Sequence, residues 1–284
     1  MKVVAIGGGH GLAATLQAAR RYADDVTAIV SVADDGGSSG RLRKDMGIPA
    51  PGDLRRCLVA LADPSSPWID AFEHRFTAGE LEGHAFGNII IAGLADATGD
   101  FDTALAEAGR LLGSVGRVIP ATREPVVLKA EAEGRAVEGQ VNVQNAGRIS
   151  GVSVVPADAQ PPPAALDAIA RADQIVLGPG SLFTSVLAVV AVPAIGDALN
   201  ATKATKVYVC NLREQVPETE GFDVAAHVTA LAGHRLAVDV VVYDPNGVPA
   251  GDVPGRTVEA EVANDDGTLH DADRLAGVLR GLVG

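Results

Sequence analysis

The sequence is poor in cysteine, in aromatic residues and in positive charge. Its 284 residues include two cysteines, Cys57 and Cys210, and 4% aromatic residues. Two cysteines do not make a disulfide framework. Lysine and arginine number 23 against 36 aspartates and glutamates, which gives a net charge of −13. Because nucleic acids and anionic membranes are bound by basic surfaces, this charge excludes nucleic acid as an expected partner.

Long apolar runs are missing as well. No stretch reaches the ~20 apolar residues that a membrane-spanning helix needs. Met1 is followed directly by a strand-like segment, without the pattern of a signal peptide. We therefore expect a cytoplasmic protein that is not inserted into a membrane.

Glycine and aliphatic residues are abundant, and they alternate in a way that is typical of α/β proteins. The chain has 33 glycines, and 47% of its residues are hydrophobic. Strand-like runs such as "KVVAI", "VTAIVSV", "QIVLG", "KVYVCN" and "VDVVVYD" are separated by helical patterns. Successive βα units with right-handed crossovers predict a doubly wound, mostly parallel sheet.

The pattern changes in the middle of the chain, at about residues 125–155. The run "PVVLKAEAEGRAVEGQVNVQNAGRISGVSVV" alternates between apolar and polar residues, lacks a helical period and carries turn glycines at Gly134 and Gly147. This pattern predicts a small antiparallel β insert. Because neither flanking half has enough strands to stand alone, we predict a single domain over residues 1–284 with the insert as one of its lobes.

The first strand runs into a turn that is almost entirely glycine, "GGGHG". A strand, a glycine-rich turn and a helix place backbone N–H groups and a helix N-terminus around an anion. The turn lacks the last glycine of the Gly-x-Gly-x-x-Gly fingerprint and the Lys-Ser/Thr of a P-loop. A tight βα connection without a ligand is the alternative. The predicted nucleotide-binding residues here are Gly8, Gly9, His10, Gly11 and Leu12.

Two aspartates follow the second predicted strand. Asp34 and Asp35, in "SVADDGGSSGRLR", stand where a dinucleotide-binding fold carries the acid that binds ribose. A solvated loop capped by aspartate is the alternative. A Mg²⁺ ion held by either aspartate together with a phosphate is compatible with this position, but no further carboxylate in the sequence supports it.

Two more predicted strands end in residues suited to a ligand. In "QIVLGPGSLFTSV" the strand stops at Gly178, Gly180 opens the backbone, and Ser181 is placed to cap the next helix. Asn211 ends the following strand and can offer a donor and an acceptor to a base or a sugar. Because the carboxyl ends of parallel strands share one edge, these turns together predict a nucleotide-sized anionic ligand in one crevice.

Few residues suggest catalysis. His84 and Asn88 stand four apart at the start of an apolar helix and so share a face, which would let both contact one ligand. Arg41 and Arg43 follow the second glycine-serine turn and are candidates to assist a phosphate. No nucleophile elbow, zinc-type histidine pair or cysteine cluster is present. We therefore predict no catalytic residue, no metal ligand and no cofactor beyond the nucleotide itself.

Several long motifs resemble one known family. They are "GGGHGL", "VSVADDGGSSGRLR", "GIPAPGDLRRCLVALA", "FEHRFTAGELEGHAFGNIIIAGL", "LGPGSLFTSVL" and "CNLREQVPETEGF". Spread over nearly the whole chain, they resemble the gluconeogenesis-factor (YvcK-like) family of the CofD-like superfamily. The resemblance implies a Rossmann-like fold and a UDP-sugar ligand, notably UDP-N-acetylglucosamine. It also implies a regulatory role in cell shape and cell-wall synthesis on gluconeogenic carbon.

Two other functions compete with this interpretation. The transferase branch of the same superfamily moves a phospholactyl group onto a deazaflavin, and it shares the fold and the anion-binding turns. A dinucleotide-dependent oxidoreductase would also use the first glycine turn and Asp34, but the fingerprint is incomplete and no catalytic dyad is evident.

Departures from the family pattern fall at Ala272, where some relatives carry a phosphorylatable threonine, and in the loop Gln215–Thr219. Assembly into a homo-oligomer is left open by the sequence.

Overall fold

The structure is a computed structural model that describes residues 1–283. Ten strands are present in this range, and they form a seven-stranded and a three-stranded sheet. The strands are β1 (Lys2–Gly7), β2 (Asp25–Val30), β3 (Arg117–Pro120), β4 (Val127–Ala132), β5 (Arg135–Glu138), β6 (Ile149–Val155), β7 (Gln174–Leu177), β8 (Thr205–Val209), β9 (Val240–Tyr243) and β10 (Arg256–Glu259).

Helices connect these strands. They are α1 (Gly9–Ala19), α2 (Gly37–Met46), α3 (Gly52–Ala60), α4 (Trp68–Glu73), α5 (Phe86–Thr98), α6 (Phe101–Leu112), α7 (Gln140–Gln144), α8 (Pro163–Arg171), α9 (Leu187–Val190), α10 (Pro193–Ala201), α11 (Val224–Gly233) and α12 (Ala272–Arg280). A π-helical turn, Leu182–Val186, leads directly into α9.

The seven-stranded sheet is parallel throughout and has the order β10-β9-β8-β7-β1-β2-β3. Its interior strand β1 is buried from Val3 to Gly7, as expected for a strand covered on both faces by helices. Helix α1 packs against α3 and α12, whereas α8 packs against α10 and contacts β1 and β3. The predicted doubly wound α/β fold is therefore confirmed.

The antiparallel insert is confirmed as well. Strands β5, β4 and β6 form a sheet in that order, and every pairing in it is antiparallel. The buried side chains Leu128 of β4 and Val154 of β6 belong to the same continuous apolar cluster as the core of the large sheet. The prediction of one domain is compatible with this packing and stays a prediction.

Three local expectations were wrong or incomplete. The insert contains the short helix α7. Its five residues are too few to show a helical period in the sequence. The helix expected after Gly180 begins as a π-helical turn before it becomes α9. Strands β3 and β10 were not foreseen, because each has four residues and lies at an edge of the sheet, where burial leaves little pattern.

Within residues 1–283, no single helix is long and apolar enough to cross a membrane. One pair, Leu182–Val190 and Pro193–Ala201, reaches the required length and composition only when its two parts are counted together, and it is bent by 77°.

One buried hydrogen bond joins α1 to the turn that follows β7. The hydroxyl of Thr15 donates to the carbonyl oxygen of Gly178 over 2.7 Å. We expect Thr15→Val, which keeps the shape of the side chain but leaves that carbonyl unpaired, to lower the free energy of unfolding by about 1–3 kcal/mol. The matched control is Thr229→Val, whose exposed hydroxyl bonds within its own helix and should cost less than about 0.5 kcal/mol. Equal losses in urea titrations of the two variants would contradict this role of Thr15.

A buried histidine makes the stability depend on pH. His227 is completely buried, and burial lowers its pKa to about 4. In the unfolded chain its pKa is near 6.5, so the unfolded state alone takes up this proton between pH 6.5 and 4. The contribution of His227 to stability is therefore complete above pH 6.5 and is lost as the pH falls toward 4, at a limiting slope of about 1.4 kcal/mol per pH unit.

We expect His227→Gln, which keeps a hydrogen-bonding group beside the Tyr208 hydroxyl, to lower the slope of this dependence between pH 6.5 and 4.5. His270, whose pKa burial also lowers to about 4, accounts for part of the slope that remains. The measurement is the free energy of unfolding from denaturant titrations across that range. His74→Gln, at an exposed position, is the control and should keep the wild-type slope. If His227→Gln has the wild-type slope too, the assignment of the pH dependence to this residue is wrong.

Candidate functional site

The strand order reverses beside β1, and this is where an open α/β sheet forms a crevice for ligands. The chain proceeds from β1 to β2 and β3 on one side, and from β7 through β10 on the other. The glycine turns that follow β1 and β7 therefore start side by side. The N–H of Gly178 donates to the carbonyl of Ile6 over 2.9 Å, which continues the β1–β7 pairing up to the turns.

Gly11 lets the two turns touch. A Cβ atom at this position would lie 2.4 Å from the carbonyl oxygen of Pro179 and 2.8 Å from the nitrogen of Gly180. Neither distance is possible for a real side chain. The last glycine of the first turn is thus required by contact between two backbones, and the adjacent Leu12 is completely buried in the core.

Gly8 and Gly9 have different surroundings from Gly11. A Cβ on Gly8 would lie 2.4 Å from a carboxylate oxygen of Asp53. Gly9 has a φ of +66° and open space around the Cβ that it lacks, and it lines a cavity. The N-cap residue of α1, Gly8, has no side chain to cap the helix, and the Asp53 carboxylate beside it accepts a hydrogen bond from the backbone N–H of Gly9. Because the first N–H groups of a helix attract anions, the rest of the first turn of α1 is a candidate anion site at the cavity.

The second glycine turn is held by a chain of hydrogen bonds. The N–H of Gly180 donates to Oδ1 of Asn211 over 2.9 Å, and Nδ2 of Asn211 donates to Oε1 of Gln215 over 3.2 Å. Nε2 of Gln215 donates to the hydroxyl of Ser181 over 3.1 Å. Both ends of the Asn211 amide are therefore used within the protein, and Ser181 bonds to Gln215 instead of capping the following helix through its side chain. This network fixes the turn in place.

A buried carboxylate occupies the start of the helix after β7. Oε1 of Glu218 accepts hydrogen bonds from the N–H groups of Phe183 and Thr184, at 2.8 and 3.2 Å, and Oε2 accepts one from the Thr184 hydroxyl at 3.1 Å. Burial raises the pKa of Glu218, while these three hydrogen bonds oppose the shift. Two N–H groups that this helix end could offer to an anion are thus already bound, so the N-terminus of α1, where Asp53 accepts from the N–H of Gly9, is the remaining candidate of the two.

Asp34 and Asp35 point to different partners. Asp34 lines the cavity, and its Oδ1 accepts a hydrogen bond from the N–H of Gly36 over 2.9 Å. The carboxylate of Asp35 accepts from the N–H groups of Gln140 and Val141 at the start of α7, at 3.1 and 3.0 Å. The sequence could not distinguish these two roles, because α7 lies more than a hundred residues away.

The cavity contains an ion pair that the sequence analysis missed. Nη1 of Arg56 donates to Oδ1 of Asp53 over 2.7 Å, and both residues lie on α3 and line the cavity. Burial raises the pKa of Asp53, the charge of Arg56 lowers it, and Asp34 raises it further. The sequence signal that could have indicated this pair is Asp53 itself, which directly follows the turn-forming segment "PAPG" at the start of a helical pattern.

The positive charges at the cavity differ from those expected. Arg41 donates to the carbonyl of Glu82 over 2.7 Å, and Arg43 donates to the carbonyl of Ala33 over 3.4 Å; neither lines the cavity, whereas Arg56 does. His10 lines it too, and burial followed by the charge of Arg56 lowers its pKa. The lowered pKa favours the neutral form of the His10 imidazole.

Asn88 lies behind the site, in a buried polar cluster. Its Oδ1 accepts from Nε of Arg55 over 3.1 Å, and its Nδ2 donates to the hydroxyl of Ser38 over 3.1 Å. Nδ1 of His84 lies 3.0 Å from the same hydroxyl. His84 and Asn88 thus meet at one group, as their spacing suggested, but that group is Ser38 and neither residue lines the crevice.

Two cavities meet at the N-terminus of α1. One has a volume of about 470 Å³ and extends toward Asp34, Asp53 and α7. The other has a volume of about 390 Å³ and extends toward the residues after β8 and the segment 268–270. They share four lining residues, His10, Gly11, Gly180 and Gln215. Together they form one elongated crevice, and the exposed face of α1's first turn lies at its middle.

A third cavity, of about 420 Å³, lies at the edge strand β3 and is lined mostly by aliphatic residues. None of the glycine-turn residues lines it, although Asp102 and Ala164, from the first turns of α6 and α8, do. Within residues 1–283, no group of three or more His, Cys, Asp or Glu side chains is arranged to hold a metal ion. The crevice at α1 is therefore the candidate functional site.

Comparisons with known proteins agree with the motifs. A family model described as 2-phospho-L-lactate transferase CofD matches residues 3–276. The protein named gluconeogenesis factor from Bacillus subtilis is 43% identical over 253 residues, which cover 87% of this chain and 80% of that protein. The protein of the same name from Halalkalibacterium halodurans is 42% identical, with 93% and 81% covered.

A relative from Nostoc sp. is 44% identical over 85% of this chain, which spans about half (54%) of that relative's length. A crystal structure of a UPF0052-family protein from Bacillus halodurans superposes with a TM-score of 0.93 at 36% identity, and 98% of each chain is covered. The family resemblance seen in the sequence is thereby confirmed. The chain belongs to the 2-phospho-L-lactate transferase CofD family, and within it the chain is similar to the relatives named gluconeogenesis factor.

Proposed function

We propose that this chain binds a nucleotide sugar of the UDP-N-acetylglucosamine type and acts as a regulatory protein without turnover. The observation that carries the proposal is the N-terminus of α1, whose cap residue Gly8 has no side chain and whose first-turn residues His10 and Gly11 line both cavities of the crevice. The choice of a UDP-sugar, and a role in cell shape and cell-wall synthesis on gluconeogenic carbon, rest on the resemblance to the gluconeogenesis-factor family.

The charges around the crevice favour one position for a diphosphate. Helix N-termini stabilise an anion by about 0.3–1 kcal/mol when exposed and by up to about 2 kcal/mol when partly buried. Arg56 adds a positive charge, but it is paired with Asp53, and Asp34 lies nearby. These carboxylates repel phosphate, and Asp53 lies against the Gly8–Gly9 end of the first turn of α1. The diphosphate therefore belongs at the His10–Gly11 part of that turn, on the side of the second cavity, where Arg213 adds a positive charge. The uncharged parts of the ligand extend into the two cavities.

A second candidate function is the transfer of a phospholactyl group to a deazaflavin. The match to the CofD family model favours it, and so does the proximity of Asp34 and Asp53 in the cavity. Two carboxylates beside a phosphate site are suited to a divalent cation or to a general base. A transferase would consume its bound nucleotide substrate, whereas a regulatory binder would release it unchanged.

Calorimetry with a panel of ligands tests the proposal. We expect UDP-N-acetylglucosamine and UDP to bind, because both carry the diphosphate that α1 attracts, and we expect free N-acetylglucosamine to show no measurable heat. GDP, NAD and a deazaflavin complete the panel. Binding of the free sugar as tight as that of the UDP-sugar, or a clear preference for NAD, would overturn the proposal. Formation of a phospholactyl-deazaflavin product, followed by mass spectrometry, would establish the second candidate instead.

Substitution of Gly9 separates ligand contact from backbone geometry. We expect Gly9→Val to weaken UDP-N-acetylglucosamine binding by about two orders of magnitude, because its side chain would stand where several charge-assisted hydrogen bonds form. The control is Gly99→Val, since Gly99 has nearly the same backbone (φ +68° against +66°) and equally open surroundings. Both variants should lose about 1–2 kcal/mol of stability from the left-handed conformation. Equal affinities in the two variants would show that Gly9 serves only the turn.

A further inference from the structure

The short helix α7 of the antiparallel insert forms one wall of the larger cavity. Gln140, Val141 and Gln144 line it, opposite the first glycine turn and beside Asp34. Gln140 and Gln144 stand four residues apart and so share one face of α7. The insert thus brings two carboxamides to the crevice from a part of the chain that the parallel sheet does not include.

The two glutamine side chains are free to bind a ligand. Within residues 1–283, neither carboxamide makes a hydrogen bond to another protein group, although the backbone N–H of Gln140 is bound by Asp35. A carboxamide presents two donors and one acceptor with two lone pairs. This set matches the hydroxyl and acetamido groups of a sugar, which both donate and accept.

Other groups hold α7 in place without using the glutamines. The Asp35 carboxylate accepts from the N–H groups of Gln140 and Val141 at 3.1 and 3.0 Å. Nδ2 of Asn142 donates to the carbonyl of Glu138 over 2.8 Å. On the far side of the insert, the N–H of Val152 donates to Nε2 of His234 on the segment after α11 over 2.9 Å. These contacts fix the position of α7, and with it the positions of Gln140 and Gln144 at the cavity.

The two ends of the crevice differ in polarity, and this difference sets the direction of the ligand. The cavity at α7 carries the carboxylates Asp34 and Asp53, which accept hydrogen bonds from hydroxyls and repel phosphate. The other cavity is lined by Leu212, Leu269 and the alanines of α1, which are suited to the flat face of a base, together with Arg213, Glu214 and His270. The hydroxyls of a sugar match the carboxylates of the first cavity, and the apolar side chains of the second match a nucleobase.

We propose that α7 determines the sugar specificity of this site, with Gln140 and Gln144 binding the hexose ring of the nucleotide sugar and Asp35 acting as the positioning residue for the helix. This inference rests on the proposed function, since it assigns one end of the crevice to the sugar of a bound UDP-sugar. It adds the insert to the binding site and predicts that the insert, and not the glycine turns, distinguishes one sugar from another.

The experiment compares UDP with UDP-N-acetylglucosamine by calorimetry on wild type and on Gln140→Ala and Gln144→Ala. Each substitution should weaken the UDP-sugar by about tenfold, the value of one or two hydrogen bonds, and should change the affinity for UDP less than twofold. Asp35→Ala should show the same selective loss. The matched control is Gln160→Ala, since Gln160 is an exposed glutamine on the connection after β6, and it should leave both affinities unchanged.

The outcomes separate this inference from the function on which it rests. If wild type binds neither UDP nor the UDP-sugar, the proposed function and this inference both fail. If wild type binds both and Gln140→Ala and Gln144→Ala have wild-type affinities, the inference alone is overturned. An equal loss for UDP and for the UDP-sugar also overturns it, because α7 would then face the nucleoside. Thermal melting of each variant confirms that it is folded.

Discussion

The contact between two backbones at Gly11 is the constraint on which the rest of the site depends. The missing side chain lets the first turn of α1 lie against the Pro179–Gly180 peptide, where a Cβ would be 2.4 Å from the carbonyl oxygen. Thr15, one helical turn further along α1, bonds to Gly178 and fixes the same approach. Because the turns after β1 and β7 are held together in this way, the N-terminus of α1 is fixed at the point where the sheet reverses its strand order.

An acidic protein needs a local arrangement to bind an anion. The net charge of −13 offers no general attraction, and the cavity itself contains Asp34 and Asp53. Backbone N–H groups at a helix N-terminus supply partial positive charge that does not depend on the side-chain balance. The same interaction between helix N–H groups and an anion occurs within the protein, since the Glu218 carboxylate accepts hydrogen bonds at the start of the helix after β7. The start of the helix after β7 is thus occupied by Glu218, whereas the first turn of α1, apart from the Gly9 N–H that Asp53 accepts, lines the crevice.

The parallel sheet and the antiparallel insert contribute different things to the crevice. The sheet supplies the two glycine turns, and the hydrogen-bonded set Gly180, Asn211, Gln215 and Ser181 holds the second turn rigid. The insert supplies α7, which is tied to the sheet through Asp35. Because α7 belongs to the insert, the residues of this wall can change without altering the parallel sheet. In this respect the arrangement is compatible with a family whose model bears the name of a transferase and whose relatives are named as gluconeogenesis factors.

The sequence by itself determined the doubly wound sheet, the antiparallel insert and the placement of both glycine turns at one edge, because these follow from local periodicity and from glycine at strand ends. Gly9 and Asp34, which the sequence indicated as nucleotide-binding residues, line the cavity at the N-terminus of α1. Only the tertiary structure showed that Asn211 is used inside the protein, that Asn88 lies behind the site, and that Arg56, not Arg41 or Arg43, reaches the cavity. Short elements such as α7 could not be predicted from the sequence either. Which partner a polar side chain finds depends on contacts between segments far apart in the chain, and a local pattern carries no record of those contacts.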